Sequence, residues 1–364
     1  MGSAVDVGRR DAVLEQVFRG AIGALETLHV YLGDRLGLYE SLAAVADASP
    51  AELADQTGIA ERYAREWLEQ QAVCGLVDVV ENSADPRARR YRLPAEVAEV
   101  MADPDSLNYL APLSSLVAGI CPTLPALLEA FRTGGGVAYE AYGQDLRDGI
   151  ARLNRPMFLH QLATEWIPAM PDIELRLRRA EPPPRVADLG CGTGWSTIAI
   201  ARAYPTAQVD GIDLDEASIT EAQQHAQAAG LTDRLRFHRS SAGDAALTGP
   251  YDLVTFFETL HDMADPVAAL EAAAAVLAPG GAVLVGDEKV AETFTAPGDE
   301  LERFNYGWSA LHCLPAAMTG PGSAATGTVF RPAALEGFAS QAGFTSTTVL
   351  PIDHDFWRFY RLQL

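Results

Sequence analysis

The fold of this chain is decided by one stretch of sequence, Val186-Ala187-Asp188-Leu189-Gly190-Cys191-Gly192-Thr193-Gly194. Its first four residues form a short, mostly apolar run that is typical of a buried strand, and a helical pattern starts at Trp195. The glycines between them suit a ligand-binding turn, because they have no Cβ to hold a ligand away from the backbone. The stretch therefore predicts a strand, a binding turn and a helix.

Strand and helix patterns alternate downstream of this turn. The predicted strands are Val186–Leu189, Gln208–Asp213, Leu235–Ser240, Tyr251–Phe256 and Ala282–Gly286. The predicted helices are Trp195–Tyr204, Glu216–Gly230 and Pro266–Leu277, followed by a last helix near Pro332–Ala342 and strands near Ser346–Pro351 and Phe356–Leu362. This alternation predicts an α/β fold with a parallel, doubly wound, Rossmann-like sheet.

The length of 364 residues indicates more than one domain. A boundary is predicted at Arg179–Arg185, because the successive prolines in this segment hold an extended path and cannot continue a helix. We therefore expect three parts: a winged-helix and dimerisation domain at 1–103, a helical linker and substrate roof at 104–180, and the α/β domain at 181–364.

The first of these parts carries the pattern of a winged helix-turn-helix. Ser49-Pro50-Ala51-Glu52 predicts a capped helix start, a second helix follows at Glu61–Val73, and strand-like runs follow at Gly75–Val80 and Tyr91–Leu93. The second helix mixes two arginines with three glutamates, so it lacks the basic surface that phosphate contacts need. We expect a role in dimerisation or in covering the substrate.

The segment from Asp11 to Ala46 has apolar residues at helical spacing, which predicts two amphipathic helices hinged near Gly33. Both helices come before any predicted domain that could fully cover their apolar faces. We therefore expect this segment to form much of a homodimer interface.

Composition excludes several classes of partner. The chain has 27 basic and 49 acidic side chains, and the net charge of −22 repels phosphate backbones and anionic lipid, so no nucleic-acid or membrane partner is expected. No apolar run reaches the roughly 18 residues of a membrane span, and Met1 to Asp11 has no apolar signal core. The four scattered cysteines predict a reduced, cytoplasmic protein.

The glycine turn discriminates between two cofactor classes. In a dinucleotide fingerprint the third glycine would fall on Trp195, which is too bulky for close helix packing beneath a pyrophosphate. The pattern instead resembles the motif of class I S-adenosylmethionine (SAM)-dependent methyltransferases, with Asp188 at the acidic position and Gly190, Gly192 and Gly194 at the glycines. The resemblance implies that SAM is the cofactor and that its methionine end lies on this turn.

A second acidic residue strengthens the resemblance. Asp213 ends the next predicted strand about 20 residues further on, where a carboxylate can accept hydrogen bonds from both ribose hydroxyls. The family places adenine near the end of the third strand, where its usual acid is either replaced here by Ser241 or displaced to Asp244. Three neighbouring residues are also expected to contact the cofactor: Leu214, Ala242 and Phe257.

The candidate catalytic residues follow the fourth strand. Leu260-His261-Asp262 resembles the catalytic segment of small-molecule O-methyltransferases that carry an N-terminal winged helix, in which the matching histidine removes a hydroxyl proton. Imidazole suits this task because its ordinary pKa of about 6.5 leaves neutral base near neutral pH. Two structural alternatives stay open: His261 caps a helix or bonds a carbonyl, and Asp262 is a helix cap rather than an orienting group.

A long excursion follows the fifth strand, from Glu288 to Thr328. Segments of this length are usually functional covers, although these aromatic side chains would equally suit a core between domains. The residues concerned are Phe304, Tyr306, Trp308, His312, Cys313 and Met318.

His312 supports a second mechanism. Some C-methyltransferases of 2-oxo acids resemble this two-domain plan and hold iron with histidines near the equivalent positions. Here His261, Asp262 and His312 would make a two-histidine, one-carboxylate set. Such a metal would stabilise the enolate of the oxo acid, but the sequence by itself assigns no metal ligand.

The predicted function is methyl transfer from SAM to an oxygen or carbon of a small-molecule acceptor, catalysed by a cytoplasmic homodimer. The overall plan also resembles bacterial methyltransferases of secondary metabolism. Two other classes stay open: a SAM-sensing regulator, which would need a basic recognition helix, and an enzyme that binds SAM without methylating.

Overall fold

The structure is a computed structural model that describes residues 5–244, 247–320 and 322–364. Two predicted segments extend beyond the described residues: the N-terminal stretch without a signal core, at Met1–Ala4, and the excursion after the fifth strand, at Pro321. The chain divides into two compact units, the first made of Met1–Gly119 and Gln144–Pro156 and the second of Ile120–Gly143 and Met157–Leu364. The segment 104–180, predicted as a separate roof, is thus shared between the two units.

The described helices and strands have the following bounds. The helices are α1 Val7–Arg35, α2 Leu38–Ala43, α3 Pro50–Thr57, α4 Glu61–Val73, α5 Ala95–Met101, α6 Leu113–Ile120, α7 Leu124–Thr133, α8 Gly143–His160, α9 Pro171–Leu177, α10 Trp195–Ala203, α11 Glu216–Ala228, α12 Pro266–Val276, α13 Glu300–Trp308, α14 Leu314–Ala317 and α15 Pro332–Gln341. The strands are β1 Asp78–Glu81, β2 Arg90–Arg92, β3 Arg185–Leu189, β4 Gln208–Asp213, β5 Leu235–Arg239, β6 Tyr251–Phe257, β7 Leu277–Glu288, β8 Ser346–Val349 and β9 Trp357–Gln363. Two π-helical turns lie at Leu162–Trp166 and Ser309–Cys313.

The first unit contains the predicted winged helix-turn-helix. The capping box at the start of α3 is confirmed, because the Glu52 N–H donates to the Ser49 hydroxyl and the Ser49 N–H donates to the Glu52 carboxylate. Helices α3 and α4 are followed by the antiparallel pair β1 and β2. Their shared core is built around Leu53, Trp67 and Tyr91.

The hinge predicted near Gly33 is wrong. Helix α1 continues through Gly33 to Arg35, and the chain turns only at Gly37, whose φ is +66°. Gly33 instead allows close packing, because a Cβ there would lie 2.6 Å from ring atoms of both Trp67 and Tyr39.

One helical stretch bears on the question of membrane spans. Among the described residues, Leu113–Thr133 is long and apolar enough to cross a membrane by length and composition. Because 44% of its most apolar window is buried in the structure, and core helices of folded domains meet the same criterion, this stretch is weak evidence for a membrane span.

The second unit contains the predicted α/β sheet. In the described part of the chain, seven strands follow the order β5-β4-β3-β6-β7-β9-β8. The five strands from β3 to β7 pair in parallel, and β9 pairs antiparallel with both β7 and β8. The strand positions agree closely with the predicted ones, but the antiparallel edge makes the sheet mixed rather than wholly parallel.

An apolar core covers each face of this sheet. One core joins the sheet to residues of α9, α10 and α11, and it includes Trp166, Ile173 and Ile198. The other joins it to α12 and α15, and it includes Leu270 and Leu335. These layers fix the carboxyl ends of β3, β4 and β6 at one edge, which is where ligands bind in doubly wound sheets.

Gly33→Ala should destabilise the first unit, because the new methyl group would overlap two packed aromatic rings. We expect a loss of about 1–3 kcal/mol, measured as a lower midpoint of urea or thermal unfolding. Gly20→Ala in the same helix is the matched control, because no atom lies within 4 Å of the position that its Cβ would take and alanine favours helix by up to about 1 kcal/mol. Equal stabilities of the two variants would contradict this account of Gly33.

Candidate functional site

The glycine turn after β3 has one position that faces open space. Gly190, Gly192 and Gly194 all have positive φ, at +74°, +51° and +84°. A Cβ on Gly190 would lie 2.1 Å from the Thr259 hydroxyl oxygen, and a Cβ on Gly194 would lie 2.9 Å from the Cβ of Ala222. No atom lies within 4 Å of a Cβ on Gly192. The outer glycines thus contact protein, and the central one leaves a space that a ligand can fill.

Asp188, on the adjoining strand β3, stabilises this turn through hydrogen bonds. Its carboxylate is buried and accepts hydrogen bonds from the hydroxyls of Ser196 at 2.6 Å, Thr197 at 2.7 Å and Thr255 at 2.7 Å. Burial raises the pKa of Asp188. The residue at the family's acidic position therefore links the turn to α10 and β6.

Asp213 connects the end of β4 to the same turn. Its carboxylate accepts the Gly192 N–H at 2.8 Å and the Asp215 N–H at 2.9 Å. Burial raises its pKa to about 6. The neighbouring Leu214 side chain is 65% exposed, so an apolar surface is available beside the carboxylate.

The other predicted cofactor contacts have different surroundings. Ser241 and Asp244 are exposed after β5, and Ala242 is buried between them. The Phe257 ring lies in the core, with ring centroids 5.5 Å from Phe158 and 5.8 Å from Trp166. Phe257 is thus packed mainly against other aromatic rings.

His261 lies at the exit of β6, in a short 3-10 helix that spans Leu260–Asp262. Its ring is buried. Nδ1 is 2.7 Å from an Asp287 carboxylate oxygen and 3.0 Å from one of Glu288, and Nε2 is 3.0 Å from one of Asp262. Sequence reasoning missed Asp287 and Glu288. The available signal was the pair of acids that directly follows the apolar run Ala282–Gly286 at the same edge of the sheet.

The charges in this cluster are coupled. Burial by itself would lower the pKa of His261, but the three carboxylates raise it well above its ordinary value. Burial also opposes ionisation of Asp287, yet the charge on His261 lowers its pKa, whereas burial raises the pKa of Glu288 well above its ordinary value. The carboxylates therefore favour the protonated form of His261, and burial favours the neutral form of Glu288.

His312 lies in the π-helical turn Ser309–Cys313 and is buried. Its Nδ1 is 3.4 Å from the Cys313 sulfur, its ring is perpendicular to that of Tyr142 at 4.6 Å, and its Nε2 has no hydrogen-bond partner among the described residues. Burial lowers the pKa of His312, which keeps the ring neutral.

The predicted set of metal ligands is only partly assembled. In the described ranges, two groups have possible ligand atoms within 4.8 Å of one another: His261, Asp262 and Cys313 form one, and His261, Asp287 and Glu288 form the other. His312 belongs to neither group. The third possible ligand beside His261 and Asp262 is thus the Cys313 thiol and not the His312 imidazole that the sequence predicted.

Among the described residues, the excursion after β7 contains one continuous helical stretch, residues 300–317, between two segments without regular secondary structure. It contains α13, the π-helical turn and α14. The Gly327 N–H donates to the His261 carbonyl at 3.1 Å, and the Tyr142 hydroxyl donates to the Leu311 carbonyl at 2.9 Å. The excursion therefore contacts the His261 segment directly, and Phe304 and Tyr306 on α13 remain exposed.

Helix α4 of the winged-helix unit has little free positive charge. Arg62 pairs with Glu66, and the Arg65 guanidinium lies 3.8 Å from the Glu61 carboxylate. Glutamates therefore lie beside both arginines of this helix.

Two family models match the chain. Residues 182–317 match the model described as a methyltransferase domain, and residues 24–103 match the one described as an Rv2258c-like winged HTH domain. The chain therefore contains a methyltransferase domain preceded by a winged-helix domain, as predicted.

Relatives and solved structures agree with this assignment. The ubiquinone biosynthesis O-methyltransferase of Psychrobacter arcticus is 39% identical over 99 residues, which cover 27% of this chain and 38% of that enzyme. Human N-acetylserotonin methyltransferase, solved in complex with SAM, has a TM-score of 0.70 at 17% identity over 100% of this chain and 99% of that one. The mitomycin 7-O-methyltransferase has a TM-score of 0.68 at 18% identity over 98% and 99%. These structural matches establish the fold.

The curated relatives are matched only in part. The similar segments span 24% to 50% of their length, so the relatives support the domain rather than a particular acceptor.

Two alanine substitutions in the turn should have different effects. Both place alanine at positive φ, which costs about 1–2 kcal/mol, but only Gly190→Ala also overlaps Thr259. Gly190→Ala should therefore lower the unfolding midpoint more than Gly192→Ala. Gly192→Ala should weaken SAM binding, measured by calorimetry, because its methyl group fills the open space. Normal SAM affinity in a folded Gly192→Ala variant would contradict this location for the cofactor.

Proposed function

We propose that this chain, whose residues 182–317 are a methyltransferase domain, transfers a methyl group from SAM to a small-molecule acceptor. The observation that carries the proposal is the open space above Gly192, next to the Asp213 carboxylate that anchors the turn. This geometry suits a ligand whose methionyl end lies on the turn and whose ribose reaches Asp213.

The direct test is transfer of label from [methyl-14C]SAM to a panel of phenols and 2-oxo acids. We expect a labelled low-mass product together with an equal amount of S-adenosylhomocysteine. A non-methylating enzyme or a SAM-sensing regulator would bind SAM and release no S-adenosylhomocysteine. Absence of transfer across both acceptor classes, with SAM bound, would count for those alternatives.

His261 is the proposed acid–base group. SAM supplies an electrophilic methyl group on a sulfonium centre, so the chain has to position the acceptor and remove its proton. Asp287 lies 2.7 Å from Nδ1 of the imidazole, so Nε2, which lies 3.0 Å from an Asp262 oxygen, is the nitrogen proposed to take the acceptor proton. An orienting carboxylate of this kind fixes the ring and increases its basicity.

The pH dependence of turnover should report on this cluster. Neutral His261 is the active form, and its pKa is raised, so kcat/KM for an acceptor found in the panel should rise with pH through a midpoint well above 6.5. Asp287→Asn removes one negative charge, so this midpoint should move to lower pH and the maximal rate should fall. The matching change in the His261 pKa can be followed by NMR.

The control for this experiment is His261→Ala, which should lower turnover by roughly 10²–10⁴-fold and leave SAM affinity near normal. A midpoint that does not move in Asp287→Asn, in a protein that still binds SAM, would show that the Asp287–His261 contact does not set the proton transfer.

A metal-assisted reaction on a 2-oxo acid is the second candidate. It is favoured by the approach of His261, Asp262 and Cys313 to within 4.8 Å and by the unpartnered, buried Nε2 of His312 nearby. Imidazole, carboxylate and thiolate donors suit iron or zinc, which would stabilise an enolate. Under this mechanism a chelator should abolish turnover reversibly, and Cys313→Ala should be as damaging as His261→Ala. Under the base mechanism chelation should have no effect.

We also propose that the protein is a homodimer that acts in the cytoplasm. Helix α1 supports the first part, because it exposes a row of large apolar side chains, among them Leu14 at 64% and Phe18 at 68%. A patch of this kind is unusual on a monomer in water. The cytoplasmic location is supported by the cysteines, because none of the four forms a disulfide in the described residues.

Light scattering should therefore give twice the 38.9 kDa mass of one chain at micromolar concentration. Leu14→Glu with Phe18→Glu should shift the protein toward monomer, because two charges would be buried in an apolar contact. Leu175→Glu is the control, since Leu175 on α9 is 74% exposed and the substitution should leave the mass unchanged. A monomeric wild-type protein with α1 folded would contradict the proposal.

A further inference from the structure

Glu302 is a buried charged residue in the excursion after β7. It lies on α13 and is 4% exposed. Its Oε1 accepts a hydrogen bond from Nη2 of Arg331 at 2.6 Å, and its Oε2 accepts one from the Ala291 N–H at 3.1 Å. Arg331 also donates from Nη1 to the Ala291 carbonyl. These contacts join the start of the excursion, α13 and the residue that directly precedes α15.

Two of these three points are fixed to the sheet. Near the start of the excursion, the Val290 carbonyl accepts a hydrogen bond from Arg358 of β9 at 3.0 Å. At the other end, Arg331 leads into α15, which packs on the sheet core through Leu335. The Glu302 carboxylate therefore connects α13 to both anchored ends of the excursion.

The helical stretch 300–317 leads from α13 to the His261 segment. The π-helical turn Ser309–Cys313 directly follows α13, and the Cys313 sulfur lies within 4.8 Å of possible ligand atoms of His261 and Asp262. Because α13 and this turn belong to one unbroken helical stretch, a contact that fixes α13 also fixes the position of Cys313 relative to His261.

We propose that the Glu302–Arg331 pair positions the excursion for catalysis by holding the Cys313 turn against the His261 segment. The kinetic part of this inference rests on the proposed function, because it takes His261 as the acid–base group. The pair acts through the excursion, so Glu302 and Arg331 are positioning residues rather than catalytic ones.

The chemistry of the pair supports a positioning role. Taking two charges out of water is expensive, and apolar side chains of similar volume often stabilise a core equally well. A charged pair with directed donors and acceptors selects one arrangement, because each Glu302 oxygen has its own hydrogen-bond donor. The pair therefore suits the task of fixing α13 in one place.

Two buried cysteines provide the test. Cys313 lies on the excursion and Cys191 on the glycine turn, each is 6% exposed, and burial raises the pKa of both thiols. Labelling with iodoacetamide, followed by peptide mass spectrometry, measures how readily each segment opens. Glu302→Gln should increase the labelling rate of Cys313 about 10- to 100-fold, because a charge-assisted hydrogen bond is lost, and leave that of Cys191 unchanged.

Turnover provides the second measurement. Glu302→Gln should lower kcat for an acceptor found in the panel about 10- to 100-fold, because the turn beside His261 is displaced, and leave SAM affinity unchanged. Arg331→Gln should have the same effects, and the double variant should be no worse than either single one, because all three break the same pair. Arg303→Gln is the matched control: Arg303 is exposed on the same helix, and its variant should keep wild-type labelling and turnover.

Three results would overturn the inference: unchanged Cys313 labelling in a folded Glu302→Gln variant, an equal rise in labelling at Cys191, or a selective rise at Cys313 with wild-type kcat. If Glu302→Gln does not fold, Arg331→Lys decides in the same way, because it keeps the charge but loses the forked donor geometry. If the wild-type protein methylated no acceptor, the proposed function would fail, whereas the two labelling rates would still show whether the pair holds the turn.

Discussion

The hydrogen bond from the Gly192 N–H to the Asp213 carboxylate holds the cofactor end of this domain together. It joins the turn after β3 to the end of β4, and Asp188 joins the same turn to α10 and β6 through three hydroxyls. Because both acids are satisfied by protein donors, the turn is formed before any ligand arrives. The space above Gly192 is thus a property of the fold, and a ligand need not spend binding energy to create it.

The strands and the glycine turn were predictable because they depend on local pattern. The sequence placed β4 at Gln208–Asp213, as observed, and its capping residues placed the start of α3. Gly33 was misread because a glycine in a helix pattern does not distinguish a break from close packing with distant rings. The pairing of His261 with Asp287 joins residues 26 positions apart, so local periodicity does not reveal it.

The surroundings of His312 show a second reason why the candidate site could not be fully predicted from the sequence. A π-helical turn inserts one extra residue relative to an α-helix, so it changes which side chains face a neighbouring element. Residues Ser309–Cys313 form such a turn, and Cys313 rather than His312 approaches His261 and Asp262. The residue types of the candidate site were therefore predictable, but which of the two neighbours faces His261 was not.

The position of Asp287 and Glu288 on β7 has a consequence for how this protein can diversify. The strand is paired on both sides, with β6 and with β9, where Asp287 lies opposite Arg358 and Glu288 opposite Trp357. The acids beside the imidazole thus lie on a strand of the sheet interior, whereas the excursion that begins after Glu288 lies outside the sheet. Because the excursion also donates a hydrogen bond to the His261 carbonyl through Gly327 and brings Cys313 close to His261 and Asp262, substitutions in the excursion would alter the surroundings of the imidazole as well.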